Sequence, residues 1–303
     1  MRFEIITIFP GFFAGIFEYG IVRRAHADGL MSVGVHDLRA FTHDRHRTVD
    51  DRPFGGGEGM VLKPDPLAEA LESLGIGAKF AEEDQKRVLR SAEDNRSAQD
   101  DGSRAETPVL DSRNRSGTRV ILMSAQGRPF TQAVARELAR VERVVLICGR
   151  YEGVDERINE LYCDMELSIG DYVLSGGELA AAVVVDTLMR LVPGVLGNEA
   201  SGAFESFGVA DAEIETYEEG VPRSQHGAGG LLDYPHYTRP VEFAGLKAPE
   251  VLLNGDHQQI RRWRREHQLR KTLRNRPDLL EHAALSDEDR RILETIRTES
   301  EER

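Results

Sequence analysis

CGRYEGVDERINELYCDMELSIGDYVLSGGE, residues 148–178, decides how this chain reads. It follows Val144-Val145-Leu146-Ile147, a short apolar run that reads as a buried strand. Glycines at 149, 153, 170, 176 and 177 fall in two loops, 149–153 and 168–177, beside Tyr151, Glu152, Asp171 and Tyr172. Glycine lets backbone pass close to a ligand. Two such loops after consecutive strands can offer main-chain N–H and C=O groups to a flat, polar ring. Either loop alone reads as an ordinary turn. The pair, with Tyr, Asp and Glu at this density, reads as a binding site.

Working outward, residues 3–8 predict a strand that stops at Pro10, and Phe12, Phe13, Ile16 and Phe17 predict a helix over 11–27. A short strand is expected at 33–38 and a helix at 64–74, opened by Pro64. RVILM, 119–123, predicts a strand followed by the loop 124–127, then a helix at 131–140 and a strand at 143–148. Strands and helices in alternation imply an α/β fold with a mainly parallel sheet. Ligands of such sheets bind beyond the carboxyl ends of the strands. The loops 124–127, 149–153 and 169–177 all fall there. Residues 178–191, ELAAAVVVDTLMRL, read as an apolar helix. Asp186 and Arg190 stand at i, i+4, the spacing of a weak helix ion pair, and a cation at a helix end suits the dipole.

Between these elements lies Ala40–Pro53, AFTHDRHRTVDDRP, too polar for a core strand. His43 and His46 stand at i, i+3, but no further His or Cys completes a metal set, so no metal site is expected. Taken blandly this is a solvated loop; the sharper reading is a mobile basic loop whose Arg45, His46 and Arg47 meet phosphate or a base. The glycines of FGGGEGM, 54–60, lack both the spacing and the preceding strand of a dinucleotide fingerprint. A nicotinamide oxidoreductase is therefore set aside.

Two stretches lengthen the chain. Residues 78–117 contain a run, 81–107, with hardly an apolar side chain, and read as a disordered insertion without a catalytic role. Residues 196–239, with a second insertion at 205–228, read as an interdomain linker and active-site lid. Residues 240–303 read as a small helical domain. From Ile260 to Arg276 it carries eight Lys or Arg against one acid, Glu266, in a chain of net charge −13. Arg261, Arg262, Arg264 and Arg265 cover about half the helical circumference at roughly 100° per residue, with Trp263 among them. A solvated helix face is the bland alternative; the sign contrast favours contact with an RNA backbone. Ser286 and Asp289 have capping-box spacing for the last helix.

Composition narrows the class. Of 303 residues 40% are hydrophobic and 30% charged, enough for a core in a water-facing protein. No apolar run approaches about 18 residues, so no membrane span is expected. The opening MRFEIITIFPG goes directly into strand-like alternation, so no secretion signal is expected. Cys148 and Cys163 lack C-x-x-C spacing, so neither a disulfide framework nor a zinc knuckle is expected. The reading is a cytoplasmic protein. Its acidity argues against a general nucleic-acid coat and against a DNA partner, but RNA contact depends on local patches.

The motifs also carry a resemblance. GRYEGVDER (149–157), SIGDYVLSGGE (168–178), the stretch 40–53, FGGGEGM, RLVPGVLGNEAS (190–201) and LLDYPHYTRP (231–240) resemble the bacterial tRNA (guanine-N1)-methyltransferase family, TrmD, in one order from Met1 to about Leu285. Ala125 stands where the family usually has Pro, and the two insertions lengthen connections the family keeps shorter. The resemblance implies a deep trefoil knot of the SPOUT class within residues 1–195, followed by a helical tRNA-binding domain at 240–303. It implies S-adenosylmethionine as donor, held by Leu122, Ser124, Gly127, Gly149, Tyr151, Glu152, Gly153, Ile169, Gly170, Asp171, Tyr172, Val173, Leu174, Gly176 and Gly177. It implies Asp233 as general base, Arg190 as catalytic arginine, and Glu152 as a positioning group, with a magnesium ion for which the sequence shows no recognisable site. A homodimer whose site lies between subunits is implied, as is a tRNA substrate methylated on the guanosine just 3′ of the anticodon.

The chemistry suits those residues. N1 of guanine carries a proton that must leave, which calls for a base, and the neighbouring carbonyl oxygen gathers charge, which calls for a cation. Asp233, among Leu231, Leu232 and Tyr234 at the end of the lid, suits the first role and Arg190 the second. A knotted methyltransferase acting on another RNA is the nearest alternative. A non-catalytic RNA-binding protein of the same fold predicts loss of Asp233 or Arg190, and both are present.

Overall fold

Val144-Val145-Leu146-Ile147 lies inside a strand with no exposed apolar side chain, and the sheet grows from it. The computed structural model describes residues 1–79, 117–197, 204–208 and 227–301. The insertion expected at 78–117 therefore lies almost wholly outside the described residues, as does most of 205–228. The chain divides into two units, Met1–Val195 and Leu196–Arg303.

In the first unit, β1 (Arg2–Thr7), β2 (Ser32–Asp37), β5 (Thr118–Pro129), β6 (Arg143–Cys148) and β7 (Met165–Ser168) form one sheet in the order β2-β1-β6-β5-β7. Every pairing in it is parallel. Leu146 stands opposite Ile5 on one side and Ile121 on the other. A parallel sheet has helices on both faces, so its strands are apolar on both. Alternate residues divide accordingly. Phe3, Ile5, Ile121, Val144 and Leu146 pack on α1 (Gly20–Ala27), α3 (Gln132–Leu138) and α5 (Glu178–Met189). Ile6, Val120, Leu122, Val145 and Ile147 pack on α2 (Pro64–Ser73) and α4 (Glu156–Tyr162). Two-residue strands β3 (Asp50–Asp51) and β4 (Val61–Leu62) pair antiparallel beside this body.

Two expectations are corrected. Residues 11–27 do not form one helix: two 3-10 turns, Pro10–Phe13 and Ile16–Glu18, precede α1. Gly15 between them adopts φ 89°, in the left-handed region that breaks a continuous helix. Residues 124–127 are not a terminal loop after a five-residue strand, because β5 continues to Pro129. Its pairing with β7 stops at Met123–Leu167 and resumes at Arg128–Leu167. Ser124–Gly127 thus bulge out between two paired halves of one strand. Gly127 permits this: a Cβ there would lie 2.5 Å from the main-chain carbon of Glu166 and nitrogen of Leu167.

In the second unit, α6 (His257–Asn275), α7 (Asp278–His282) and α8 (Asp287–Glu301) close over Leu231, Leu269, Leu293 and Ile296. Asp256 caps α6 by accepting from the N–H groups of Gln258 and Gln259. The capping box is present: Ser286 Oγ accepts from Asp289 N at 3.1 Å, and Asp289 Oδ2 from Ser286 N at 2.9 Å. A small hairpin, β8 (Glu242–Phe243) and β9 (Leu246–Lys247), precedes α6. Among the described residues no helix is long and apolar enough to cross a membrane.

Candidate active site

The loops after β6 and β7 meet. Gly177 N–H donates to the Gly149 carbonyl at 2.9 Å, and Arg150 forms an antiparallel bridge with Gly176. Such closeness needs glycine, since a Cβ on Gly177 would come within 2.8 Å of Cys148 Cα. On the other side, the loop after β6 is held to the 54–62 segment. Glu152 N–H donates to the Met60 carbonyl at 3.0 Å and Leu62 N–H to the Gly153 carbonyl at 3.0 Å. Glu152 is exposed, with its side chain against Gly59.

Between these loops and the β5 bulge lies a cleft of about 400 Å³, within the size range of small-molecule sites. Leu122, Ser124, Gly149, Tyr151, Glu152, Gly153, Ile169, Gly170, Tyr172, Val173, Leu174, Gly176 and Gly177 line it. Two residues expected in the same set, Gly127 and Asp171, are not in its wall. Gly127 is turned onto the backbone of β7, and Asp171 is exposed. The wall combines apolar side chains with main-chain polar groups, a donor set suited to a purine and an amino-acid tail. Tyr151 adopts φ 58°. Burial, and then a hydrogen bond to Asp50, push its phenol above the ordinary range.

Two residues that motif reading missed anchor the floor. Glu178, 1% exposed, opens α5 and pairs with Arg150, Nη2 to Oε2 being 3.0 Å. Thr7 Oγ1, at the end of β1, donates to the same carboxylate at 2.8 Å. Only the Arg and Glu letters inside GRYEG and SGGE signalled them, and nothing in spacing showed that they would be buried together.

Arg190 does not line the cleft. It is the C-cap residue of α5, whose first turn lies at the cleft. The twelve residues between put it about 18 Å farther along the axis, at about 1.5 Å per residue. The basic stretch Arg45, His46 and Arg47 is exposed but organised. Asp44 accepts from His46 N, Thr48 N and Thr48 Oγ1 at 3.1, 2.9 and 2.8 Å. The Thr48 bonds hold the Asp44 carboxyl below its ordinary range.

In the second unit, Asp233 is held on several sides. Its Oδ2 lies 2.9 Å from His236 Nε2, its Oδ1 accepts from Tyr234 N at 2.8 Å, and its own N–H donates to Ser206 Oγ at 2.9 Å. It thus has polar partners as well as the buried Leu231 and Tyr234 beside it. The four expected RNA-facing arginines separate. Arg262 is exposed, with Glu288 3.5 Å away, and Arg261 is half-buried. Arg264 lies over the Tyr234 ring at 4.8 Å. Arg265 is turned inward to a two-pronged pair with Asp289, at 2.7 and 2.9 Å. Among the described residues no group of three or more His, Cys, Asp or Glu is placed to hold a metal ion.

The family model described as tRNA (Guanine-1)-methyltransferase TrmD matches residues 1–108 and 103–282. This chain belongs to that family. It is 50% identical over 297 residues to the tRNA (guanine-N(1)-)-methyltransferase of Koribacter versatilis (strain Ellin345), covering 98% of each chain. The like-named protein of Geobacter metallireducens is 44% identical over 293 residues, 97% of this chain and 96% of that one. That of Moorella thermoacetica is 44% identical over 303 residues, 100% and 99% of the two chains.

Proposed function

We propose that this chain is an S-adenosylmethionine-dependent tRNA (guanine-N1)-methyltransferase acting on the guanosine just 3′ of the anticodon. The observation that carries the reading is the Gly149–Gly177 contact at the carboxyl ends of β6 and β7, which walls a cleft of donor size in a chain of this family. Glycine-bearing backbone and the apolar Leu122, Ile169 and Leu174 suit the adenine and ribose, with Tyr172 and Val173 at the rim. A knot is part of the reading. It rests on the family resemblance.

The donor supplies a methyl group on a cationic sulfur. Asp233 takes the N1 proton of guanine as the N1 electron pair forms the new bond to carbon; the old carbon–sulfur bond breaks, leaving its pair on sulfur. Both oxygens of Asp233 are oriented by His236 and the Tyr234 N–H, which fixes the direction from which it accepts. Arg190 faces the charge growing on the guanine carbonyl oxygen. Glu152, on the exposed rim, positions the base. A homodimer completes the site, with Asp233 reaching in from the partner subunit. No cluster among the described residues fits the magnesium ion that the resemblance implies, and it enters no step here.

Residues 240–303 act as the tRNA-binding domain and 196–239 as the linker and lid. Arg262 and Arg261 serve as backbone contacts, and Arg45, His46 and Arg47 meet the anticodon arm. Reaching N1 requires the guanine to leave its stack. A tRNA substrate suits a cytoplasmic protein.

The test is methyl transfer from labelled S-adenosylmethionine to tRNA transcripts. Wild type should label the transcript with guanosine 3′ of the anticodon and not its G→A counterpart, and Asp233→Ala should label neither. Labelling of the G→A transcript would overturn the substrate assignment. Labelling by Asp233→Ala would remove Asp233 as base. A folded dimer that binds donor but labels no tRNA would point to another RNA.

A further inference from the structure

Among the described residues lining the cleft, Arg150 is the one cation, against Glu152, Glu156 and Glu166. Its charge is met from beneath. Arg150 Nε donates to Glu178 Oε2 and Oε1 at 3.1 and 3.2 Å, Nη1 donates to the Ser175 carbonyl at 2.9 Å, and the guanidinium lies 4.5 Å from the centre of the Phe9 ring. Thr7 completes the Glu178 carboxylate. The pair therefore ties three strand ends together: Thr7 at the end of β1 with Phe9 beyond it, Arg150 after β6, Ser175 and Glu178 after β7.

Holding loops together does not require charge. Buried ion pairs gain little over apolar pairs of similar volume, because both ions lose water. Charge matters here for a different reason. Under the donor reading above, the ligand that must enter is a sulfonium cation and the product that must leave is a neutral thioether. The two differ by one methyl and one positive charge. A guanidinium in the wall, left alone, opposes the cation and not the product. The fields of both partners act at the buried Cys148, next to Gly149 of the wall: burial raises its thiol, the Glu178 charge raises it further, and Arg150 acts in the opposite direction.

We infer that the Arg150–Glu178 pair is a neutral latch that positions the two glycine loops and keeps the Arg150 charge from weakening the sulfonium donor relative to the thioether product. Arg150 and Glu178 are positioning residues in this scheme; neither touches the transferred methyl. The inference rests on the donor reading of the same cleft.

Calorimetric titration of the full-length protein with S-adenosylmethionine and with S-adenosylhomocysteine separates the possibilities. Glu178→Gln keeps shape and hydrogen bonding but leaves the guanidinium unopposed. Its donor-to-product affinity ratio should fall about five- to twentyfold, as one unit charge acts at roughly 10 Å in an effective dielectric near 20. Arg150→Met should move the ratio the other way. Arg150→Lys should keep the wild-type ratio within about twofold even where both affinities drop, since the charge count is unchanged. Equal weakening of both ligands in Glu178→Gln would overturn the electrostatic role, as would a wild-type ratio in Arg150→Met should Glu178→Gln fail to fold. Wild-type protein that binds neither ligand would overturn the donor reading itself, and the latch with it.

Discussion

The main-chain N–H of Gly177 donates to the carbonyl of Gly149 across 2.9 Å. The bond joins loops that follow different strands, beside the Arg150–Gly176 bridge, and helps close the cleft between them. The contact can be broken with one methyl group. In Gly177→Ala the new Cβ would meet Cys148 Cα at 2.8 Å, Met123 Cβ at 3.0 Å and Gly149 N at 3.1 Å, all interior atoms that cannot swing aside. Overpacking of this kind costs about 1–3 kcal/mol. The variant should unfold at lower urea and bind S-adenosylmethionine at least tenfold more weakly by titration. Unchanged binding would show that the loops can part without harm to the cleft.

Gly15 tests backbone strain by itself. It adopts φ 89°, and a Cβ placed on it would have no neighbour within 4 Å. Gly15→Ala therefore meets no clash, only the cost of a left-handed conformation, about 1–2 kcal/mol. A urea midpoint within error of wild type would mean that the 3-10 turns around it re-form as a helix.

Arg262 and Arg265 are three residues apart on α6 and should behave oppositely. Arg262 is exposed, and Arg262→Ala should leave the unfolding midpoint in place. It should weaken tRNA binding and reduce the slope of log affinity against log salt by about one. Arg265, 12% exposed, faces Asp289, 6% exposed. Arg265→Ala strands a buried carboxylate and should cost about 3–5 kcal/mol, read by urea unfolding followed through Trp263.

Acid should act on the same pair. Burial raises the Asp289 carboxyl, but the Arg265 bonds and charge and the Ser286 N–H outweigh it, so the carboxyl lies below its ordinary range. A group depressed in the folded state stabilises above its unfolded value and loses that contribution as pH falls through the folded one. Stability of wild type should thus fall faster than that of Asp289→Asn between about pH 5 and pH 2, measured by denaturant titration at each pH. Parallel curves would show that Asp289 is not what acid titrates.

Much of the fold was legible in the chain. Val144–Ile147 is apolar at every position because β6 is covered on both faces, and periodicity detects that without a partner. The Ser286–Asp289 spacing marks a helix start because a cap is a local hydrogen bond. Residues 11–27 misled: apolar spacing at Phe12, Phe13, Ile16 and Phe17 fits a helix, but Gly15 and Gly20 at positive φ divide it. The long strand β5 was hidden for a related reason, since Ser124-Ala125-Gln126-Gly127 lacks the apolar run of a buried strand and pairing on both sides of it comes from β7, some forty residues on.

The sequence by itself determined the parallel α/β order, the loops that carry glycine, and the basic helix of the C-terminal segment, because periodicity, turn chemistry and charge reside in neighbouring residues. Tertiary structure decided that Arg150 and Glu178 are buried together, that Gly127 packs on β7 instead of lining the cleft, and that Arg265 turns inward while Arg262 stays in water. Each of these depends on which distant atoms desolvate a charge or occupy the place of a side chain, and only the folded chain brings those atoms together.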